Sequence, residues 1–186
     1  IYGSNDYHSP TFRNPLSYLL KASKPTHHNP IDTEKMTDTF ERRGWVNLNN
    51  RSGSLRVQGL DIGFIGLDDA HDGLADLRTL PKQAGEVGLS QFMIGVTHAP
   101  YLNMIEGLTI EGAKMIFAGH THGGQVCLPF KGALVTNCDL PTEYAKGLSQ
   151  WKFGGKQSWL NVCAGLGTSI FAPVRFFCRP EVRVIT

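Results

Sequence analysis

The chain has 186 residues, of which 41% are hydrophobic and 18% are charged, and its formal net charge is +2 at pH 7. This length suits one ordinary domain, and the balanced charge favours neither a disordered chain nor a polyelectrolyte surface for nucleic acid. No apolar run approaches the ~20 residues that a membrane-spanning helix needs. We therefore expect a single domain over residues 1–186 and no nucleic-acid partner.

The first third of the chain is predicted to form a loop, a helix and a β-hairpin. Residues 1–31 are rich in Asn, Ser, Pro and His and indicate a long loop, with an apolar anchor at residues 16–20. From Asp32 to Gly44 the apolar spacing and the cap residues predict a short helix. Residues 45–69 predict two consecutive antiparallel strands, the second of which is mostly buried.

The middle of the chain is predicted to alternate helices with strands. A helical turn or short helix is expected near residues 74–80, ending around Pro81. Two apolar runs, at residues 92–97 and 115–118, predict buried strands. The amphipathic residues 101–113 between these runs predict a partly helical connection. Each of the two strands opens into a loop that carries histidine.

The last third of the chain is predicted to add strands to the same unit. Residues 132–137 and 159–167 predict two of them. The alternating C-terminal residues 173–186 include four candidate packing residues, Phe176, Val182, Val184 and Ile185. By default the large aromatic side chains are assigned to the core: Trp45, Trp151, Trp159, Phe171, Phe176 and Phe177. The prediction is one α/β unit in which strands are in the majority.

The chain contains four cysteines, at positions 127, 138, 163 and 178, and none of them forms a Cys-x-x-Cys pair. This spacing speaks against a cysteine zinc knuckle, and the low density speaks against a disulfide framework. We expect reduced thiols, some of them in the core. A cytoplasmic location fits best, with peripheral contact at a membrane surface as an alternative.

Three predicted strand ends carry side chains that bind metals in proteins. They are YGSNDY at residues 2–7, VTHAP with His98, and AGHTHGG with His120 and His122. Loops at strand ends converge over one edge of a sheet. The glycines around the paired histidines allow tight backbone paths and the close approach of a ligand. At this spacing in an extended segment, the two imidazoles can reach two neighbouring metal ions.

The segment GHTHGGQ, together with the THAP strand end and the Asn-Asp turn, resembles the calcineurin-like metallophosphoesterases. Four further segments extend the resemblance over essentially the whole chain: LDD at 67–69, LPTEYAKGL at 140–148, AGLGTS at 164–169 and APVRFFCRPEV at 172–182. They look like a bacterial branch of phosphodiesterases similar to UDP-2,3-diacylglucosamine hydrolases. The resemblance implies a layered α-β-β-α sandwich and a dinuclear metal site at its strand ends.

The resemblance also implies that part of the domain is missing from this chain. The family begins with Asp-x-His and Gly-Asp-x-x-Asp motifs, which supply carboxylate ligands, and neither occurs here. We expect these motifs to lie upstream of Ile1. The chain is then the C-terminal two-thirds of the domain and lacks its N-terminal strands.

The family's metal ligands can be carried over to this sequence position by position. His98 and His120 would bind the second metal, and His122 would bind the first. The family's Gly-Asn-His-Asp/Glu motif falls on GSND, and here the sequence differs from the family's pattern. Without a gap the ligand Asn becomes Ser4 and the catalytic His becomes Asn5, whereas a shift by one residue makes Asn5 the ligand. We favour Asn5, because an amide oxygen is the better neutral ligand.

The usual catalytic histidine is absent in either alignment. His8, three residues after Asn5, is the candidate to reach into the site in its place. His71, which follows Asp68 and Asp69, is a further candidate to lie near the site. Arg175 is the candidate to bind substrate, because a guanidinium can grip a diphosphate with two hydrogen bonds.

These residue types suit the hydrolysis of a phosphodiester or pyrophosphate bond by activated water. Two metals about 3.5–4 Å apart can activate the water and clamp the substrate. The donor set suits Mn, Fe or Zn. A small phosphoester or a nucleotide-linked lipid is the expected substrate. The alternatives are a catalytically degenerate scaffold of the same fold, or a mononuclear zinc hydrolase that uses only His98, His120 and His122.

Overall fold

A mixed six-stranded sheet forms the centre of the structure, a computed structural model that describes residues 1–9, 29–169 and 173–185. In chain order the strands are β1 (Ser52–Val57), β2 (Leu60–Gly66), β3 (Phe92–Val96), β4 (Met115–Ala118), β5 (Cys127–Leu128), β6 (Gly132–Ala133), β7 (Gly147–Phe153) and β8 (Lys156–Val162). The sheet order is β1-β2-β3-β4-β8-β7, and β5 pairs separately with β6. The four inner strands run parallel, whereas β1 and β7 pair antiparallel at the two edges.

The described residues contain four α-helices: α1 (Ser4–Tyr7), α2 (Thr33–Glu41), α3 (Leu80–Val87) and α4 (Leu102–Ile110). Short 3-10 turns occur at Leu77–Thr79, His122–Gly124 and Thr142–Tyr144. Helix α2 confirms the prediction from its cap, because the Asp32 carboxylate accepts a 2.9 Å hydrogen bond from the backbone N–H of Lys35. The hairpin of β1 and β2, the two histidine-bearing strands and the helix between them are also confirmed.

The prediction that a helix ends around Pro81 is wrong, because Pro81 lies in the first turn of α3. The first N–H groups of a helix have no partner within the helix, so proline fits there without loss of a hydrogen bond. The predicted strand at residues 132–137 is shorter than expected, since only Gly132–Ala133 are extended and paired.

Helices α3 and α4 cover one face of the sheet. Gly63 on β2 allows α3 to approach closely, since a Cβ at this position would lie 2.8 Å from Cβ of Val87. Ile65, Ile116 and Leu160 belong to the same buried core as the apolar face of α4. Burial of apolar side chains, each contributing about 1.5–3 kcal/mol, therefore fixes the helices against the sheet.

The opposite face of the sheet is less completely covered. Side chains alternate along a strand, so Ile62 and Phe64 point away from the face that carries Ile65. Both are only partly buried, and Trp159 is 48% exposed. In the described residues, the central mixed sheet with helices on one face is consistent with a metallophosphoesterase-type α/β fold. The second sheet and helical layer of the sandwich stay a prediction.

Several apolar residues that were predicted to pack are exposed instead. At the C-terminus Phe176, Val182 and Val184 are 50%, 70% and 82% exposed, and Ile185 is exposed as well. The segment makes isolated bridges, such as Val126 to Phe176, and no continuous strand among the described residues. Alternation of apolar and polar residues therefore does not bury one side of this segment.

The aromatic side chains divide into two groups. Trp45, Trp159, Phe176 and Phe177 are exposed, so their assignment to the core is wrong. Trp151 packs against the main core and meets the Tyr144 ring edge-on at a centroid distance of 5.5 Å. The predicted apolar anchor at residues 16–20 and Phe171 lie outside the described residues.

The four cysteines carry free thiols, as the sequence predicts, and Cys127 and Cys178 are buried. In the part of the chain that the structure describes, no helix has the length and apolar character to cross a membrane.

Candidate metal centre

The carboxyl ends of β3 and β4 bring two histidines together. The strands are parallel, with Val96 opposite Phe117, and each ends two residues before a histidine. The backbone N–H of Gly119 donates to the carbonyl of His98 at 2.9 Å, which continues the pairing beyond the strands. As a result the rings of His98 and His120 lie 5.4 Å apart between centroids and meet edge-on at 78°.

The ring of His120 is held by the loop that precedes β7. Its Nε2 lies 3.2 Å from the carbonyl oxygen of Asn137. When Nε2 carries the ring proton, it donates to this carbonyl and leaves a lone pair on Nδ1. A hydrogen bond from the second ring nitrogen is the usual means by which proteins orient a metal-binding histidine.

His122 begins a tight turn formed by the two glycines after it. The hydroxyl of Thr121 donates to the carbonyl of Ala145 at 2.6 Å and accepts from the N–H of Gly123 at 3.2 Å. Gly124 has a φ of +84°, and a Cβ there would lie 2.3 Å from Cβ of Ala133. Glycine is therefore required at this position for both its conformation and its size.

The N-terminal residues pack directly on His98. Gly3 covers its ring so closely that a Cβ on Gly3 would lie 2.4 Å from Nε2 of His98. The next residue, Ser4, donates a 2.8 Å hydrogen bond to Asp69, whereas the side chain of Asn5 is exposed. The structure thus directs Ser4, and not the favoured Asn5, toward the buried side of the turn.

Asp69 is a fully buried carboxylate that the three predicted strand ends did not include. It follows the end of β2, and it also accepts hydrogen bonds from the N–H groups of His71 at 3.3 Å and Asp72 at 3.1 Å. Because β2 is parallel to β3, its carboxyl end opens at the same edge of the sheet. The LDD segment after a buried strand was therefore a signal that could have identified Asp69.

His71 lies in the loop after β2, and His8, which follows α1, contacts the same loop. The ring of His71 lies 5.0 Å from that of His120, and its Nδ1 is 2.9 Å from the hydroxyl of Tyr101. Nε2 of His8 lies 3.7 Å from Oδ2 of Asp72. The structure therefore brings His8 to this loop and places His71 against the histidine pair. The catalytic role of His8 stays a prediction.

Partial burial lowers the pKa of His98, His120 and His122 and so favours their neutral form. It lowers the pKa of His120 to about 3, and the neighbouring imidazoles of His98 and His71 lower it further. Burial also lowers the pKa of His98 and of His122. A neutral imidazole presents the lone pair that a metal requires, so the three side chains fit a transition metal by their chemistry.

A complete set of metal ligands is not formed by these histidines alone. Among residues 1–9, 29–169 and 173–185, no group of three or more His, Cys, Asp or Glu side chains is arranged to hold a metal ion. Both the dinuclear centre and the mononuclear zinc site made of His98, His120 and His122 stay predictions.

Arg175 lies against the histidine turn. Its Nη1 donates to the carbonyl of His122 at 3.0 Å, and its other nitrogens donate to carbonyls of the turn after β8. The sequence analysis chose this arginine as a candidate substrate-binding residue because of its guanidinium. The structure shows that its hydrogen-bond partners are backbone oxygens. Its contact with substrate stays a prediction.

Three bacterial proteins are similar to most of this chain. The uncharacterized metallophosphoesterase YkuE of Bacillus subtilis is 29% identical over 149 residues, which cover 80% of the chain and 46% of YkuE. Phosphodiesterase YaeI of Escherichia coli is 26% identical over 86% of the chain and 54% of its own length. The uncharacterized protein YpbG of Bacillus subtilis is 27% identical over 84% of the chain and 53% of its own length.

These similarities support the metallophosphoesterase superfamily. They do not favour the degenerate scaffold, and the narrower bacterial branch stays a prediction. The matched region is about half of each relative. No protein-family profile matches the chain, and no solved structure shows significant similarity to it.

Proposed function

We propose that this chain carries the histidine-bearing part of a metal-dependent phosphoesterase. The observation that supports the proposal is the meeting of two partly buried imidazoles, His98 and His120, at the ends of adjacent parallel strands, where burial lowers the pKa of both. The reaction is the hydrolysis of a phosphodiester or pyrophosphate bond. The name of YaeI, a phosphodiesterase, supports the same class of reaction.

Three histidines would hold the metals: His98 and His120 the second, His122 the first. When bound, two Mn, Fe or Zn ions supply an activated water and neutralise the phosphoryl oxygens. The chain itself contributes the orientation of the ligands. The carbonyl of Asn137 contacts Nε2 of His120, and Gly3 covers the ring of His98.

The turn at GSND and the nearby His8 are proposed to supply two further groups of the centre. Asn5, whose side chain is exposed, is the proposed amide ligand. His8 is proposed to donate the proton to the leaving oxygen. An Asn5→Ala and a Ser4→Ala variant compared in metal affinity separate the two alignments of this motif.

A nucleotide-linked lipid is the proposed substrate class. Exposed apolar side chains flank the turn that contacts the His122 loop, with Phe176 and Phe177 50% and 66% exposed and Leu166 67% exposed. The rings of Phe176 and Phe177 pack edge-on, 4.8 Å apart. Such a group suits the acyl part of an amphiphile and peripheral contact with a membrane surface.

The test is metal loading followed by hydrolysis of bis(p-nitrophenyl) phosphate. Protein stripped with a chelator is reloaded with Mn, Fe(II) or Zn, and metal per chain is measured by plasma mass spectrometry. We expect about two ions per chain when the carboxylates of the Asp-x-His and Gly-Asp-x-x-Asp motifs are present, and hydrolysis that depends on these ions. His120→Asn should abolish both. Lys82→Ala, at an exposed position on α3 with 84% of its side chain accessible, is the control.

An absence of bound transition metal in protein that contains these carboxylate motifs would overturn the proposal. One tightly held ion with full activity would replace the dinuclear centre by a mononuclear one. Faster hydrolysis of a diacyl nucleotide pyrophosphate than of the soluble diester would support the lipid substrate, and equal rates would refute it.

A further inference from the structure

The guanidinium of Arg175 joins two turns that are far apart in the sequence. Nη1 donates to the carbonyl of His122 at 3.0 Å. Nη2 donates to the carbonyls of Ala164 at 2.7 Å and Gly165 at 3.2 Å, and it also contacts the carbonyl of Gly167. Nε donates to the same Gly167 oxygen at 2.9 Å. One side chain thus fixes the histidine turn against the turn that follows β8.

The carbonyl of His122, to which Arg175 donates, is held by several donors that together stabilise the conformation of the histidine turn. His122 has a φ of 50°, so its backbone is in the left-handed region, and its carbonyl also accepts from the N–H of Gln125 at 3.1 Å. The thiol of Cys178 donates to this carbonyl at 3.4 Å and to that of Gly123 at 3.3 Å. Arg175 supplies the charged donor among these groups, and hydrogen bonds from charged donors are the stronger ones.

These contacts leave few N–H groups of the Arg175 guanidinium available to bind a substrate. Its five N–H groups lie on three nitrogens, and each nitrogen of Arg175 already faces an acceptor of the protein. A bidentate grip on a phosphate needs two N–H groups on one edge. Such a grip would break at least one of the bonds that hold the two turns together.

We infer that Arg175 is a positioning residue that orients His122 as a metal ligand and does not bind substrate. This inference rests on the proposed metal-dependent function. An arginine is suited to the task because its rigid, planar fork reaches several carbonyls at once, whereas the compact ammonium of lysine does not. Outer partners of metal ligands commonly change metal affinity by roughly 10–100-fold when they are removed.

The test compares Arg175→Ala, Arg175→Lys and a control, Arg56→Ala. Arg56 lies on the edge strand β1 with 72% of its side chain exposed, so its removal deletes the same charge elsewhere. Titration with Zn²⁺ or Mn²⁺ measures metal affinity, and initial rates separate KM from kcat. Arg175→Ala should bind metal roughly 10–100-fold more weakly with an unchanged KM. Millimolar guanidinium should restore its affinity, and methylammonium should not.

Two results would overturn the inference. The first is an Arg175→Ala variant that binds metal as tightly as the wild type. The second is a variant with normal metal affinity and a raised KM, which would mark a residue that binds substrate. Arg175→Lys should recover little of the affinity, because it cannot span both turns.

A measurement on the metal-free protein separates this inference from the proposed function. If the wild type binds no metal, the function fails, but hydrogen exchange still tests the positioning role. The amides of Gly124 and Gln125 donate within the histidine turn, at 2.8 Å and 3.1 Å. Their exchange should accelerate in Arg175→Ala and not in Arg56→Ala. Unchanged exchange would refute the positioning role whether or not metal binds.

Discussion

The hydroxyl of Ser4 and the buried carboxylate of Asp69 are joined by a hydrogen bond of 2.8 Å across 65 residues of sequence. This bond attaches the N-terminal turn to the end of β2 and thereby sets Gly3 against the ring of His98. A second bond, 2.5 Å from the hydroxyl of Tyr7 to Asp68, reinforces the attachment. The two carboxylates of the LDD segment therefore anchor the turn that borders the histidine pair.

Replacing Asp69 by Ala should destabilise the protein by about 3 kcal/mol, because buried N–H groups and the Ser4 hydroxyl lose their acceptor. Ser4→Ala should cost only about 1 kcal/mol, since the carboxylate keeps its backbone donors. Urea unfolding of both variants and of the double variant measures these values. The double variant should lose less than the sum of the two. An Asp69→Ala variant no less stable than Ser4→Ala would contradict this account.

The stability of the metal-free protein should fall as the pH is lowered from about 6.5 toward 3. Burial lowers the pKa of His120 from its ordinary value of 6.5 to about 3, so the unfolded chain takes up a proton that the folded chain excludes. Above pH 6.5 the His120 imidazole is neutral in both the folded and the unfolded chain, so this loss of stability is absent. Urea midpoints at pH 7.5, 5.5 and 4 measure the effect, which should be smaller in His120→Gln. A pH-independent difference between the two proteins would count against it.

Gly3→Ala should displace the ring of His98, because the added Cβ would lie 2.4 Å from Nε2. We expect a loss of about 1–3 kcal/mol from overpacking, together with weaker metal binding. Gly85→Ala is the control, since a Cβ at that position in α3 meets nothing within 4 Å. It should stabilise the helix by about 0.5–1 kcal/mol. Thermal melts and metal titrations of the two variants test this prediction. Equal stability and equal metal affinity of Gly3→Ala and Gly85→Ala would exclude the close contact between Gly3 and His98.

Gln83→Leu should destabilise the protein by about 1–3 kcal/mol, because the backbone of Gly66 at the end of a buried strand loses two hydrogen bonds to the side-chain amide. The Gln83 amide lies on α3, accepts from the N–H of Gly66 at 2.9 Å and donates to the carbonyl of Gly66 at 3.1 Å. Lys82→Leu, at the adjacent exposed position, should change stability little. Chemical unfolding compares them, and a neutral Gln83→Leu would show that these bonds contribute no net stability.

The histidine cluster could be anticipated from the sequence because its signals are local. An apolar run followed by glycine and histidine predicts a strand end, and the ends of β3 and β4 do bring His98 and His120 together. The contacts of Ser4 with Asp69 and of Arg175 with His122 join residues 65 and 53 positions apart. Such pairs depend on the order of strands in the sheet, and hydrophobic periodicity does not encode that order.

For the fold, as for the histidine cluster, the sequence predicted the features that depend on local signals. Caps and periodicity identified α2 and the buried strands, whereas Pro81 was assigned to the wrong end of a helix. Proline fits the first turn of a helix and also follows helix ends, so the residue alone leaves both readings open. The exposed C-terminal residues show a related limit, because alternation indicates packing only where a second surface is present to cover it.

The left-handed backbone at His120 and His122, with φ of 65° and 50°, has a consequence for the evolution of this turn. An L-residue with a side chain disfavours this conformation by roughly 1–2 kcal/mol, and glycine does not. Selection for stability alone would therefore replace both histidines by glycine. A sequence that retains imidazoles there gives up some folding stability in order to keep side chains that can bind a metal. A His122→Gly variant that is more stable but has lost metal affinity would show both effects in a single substitution.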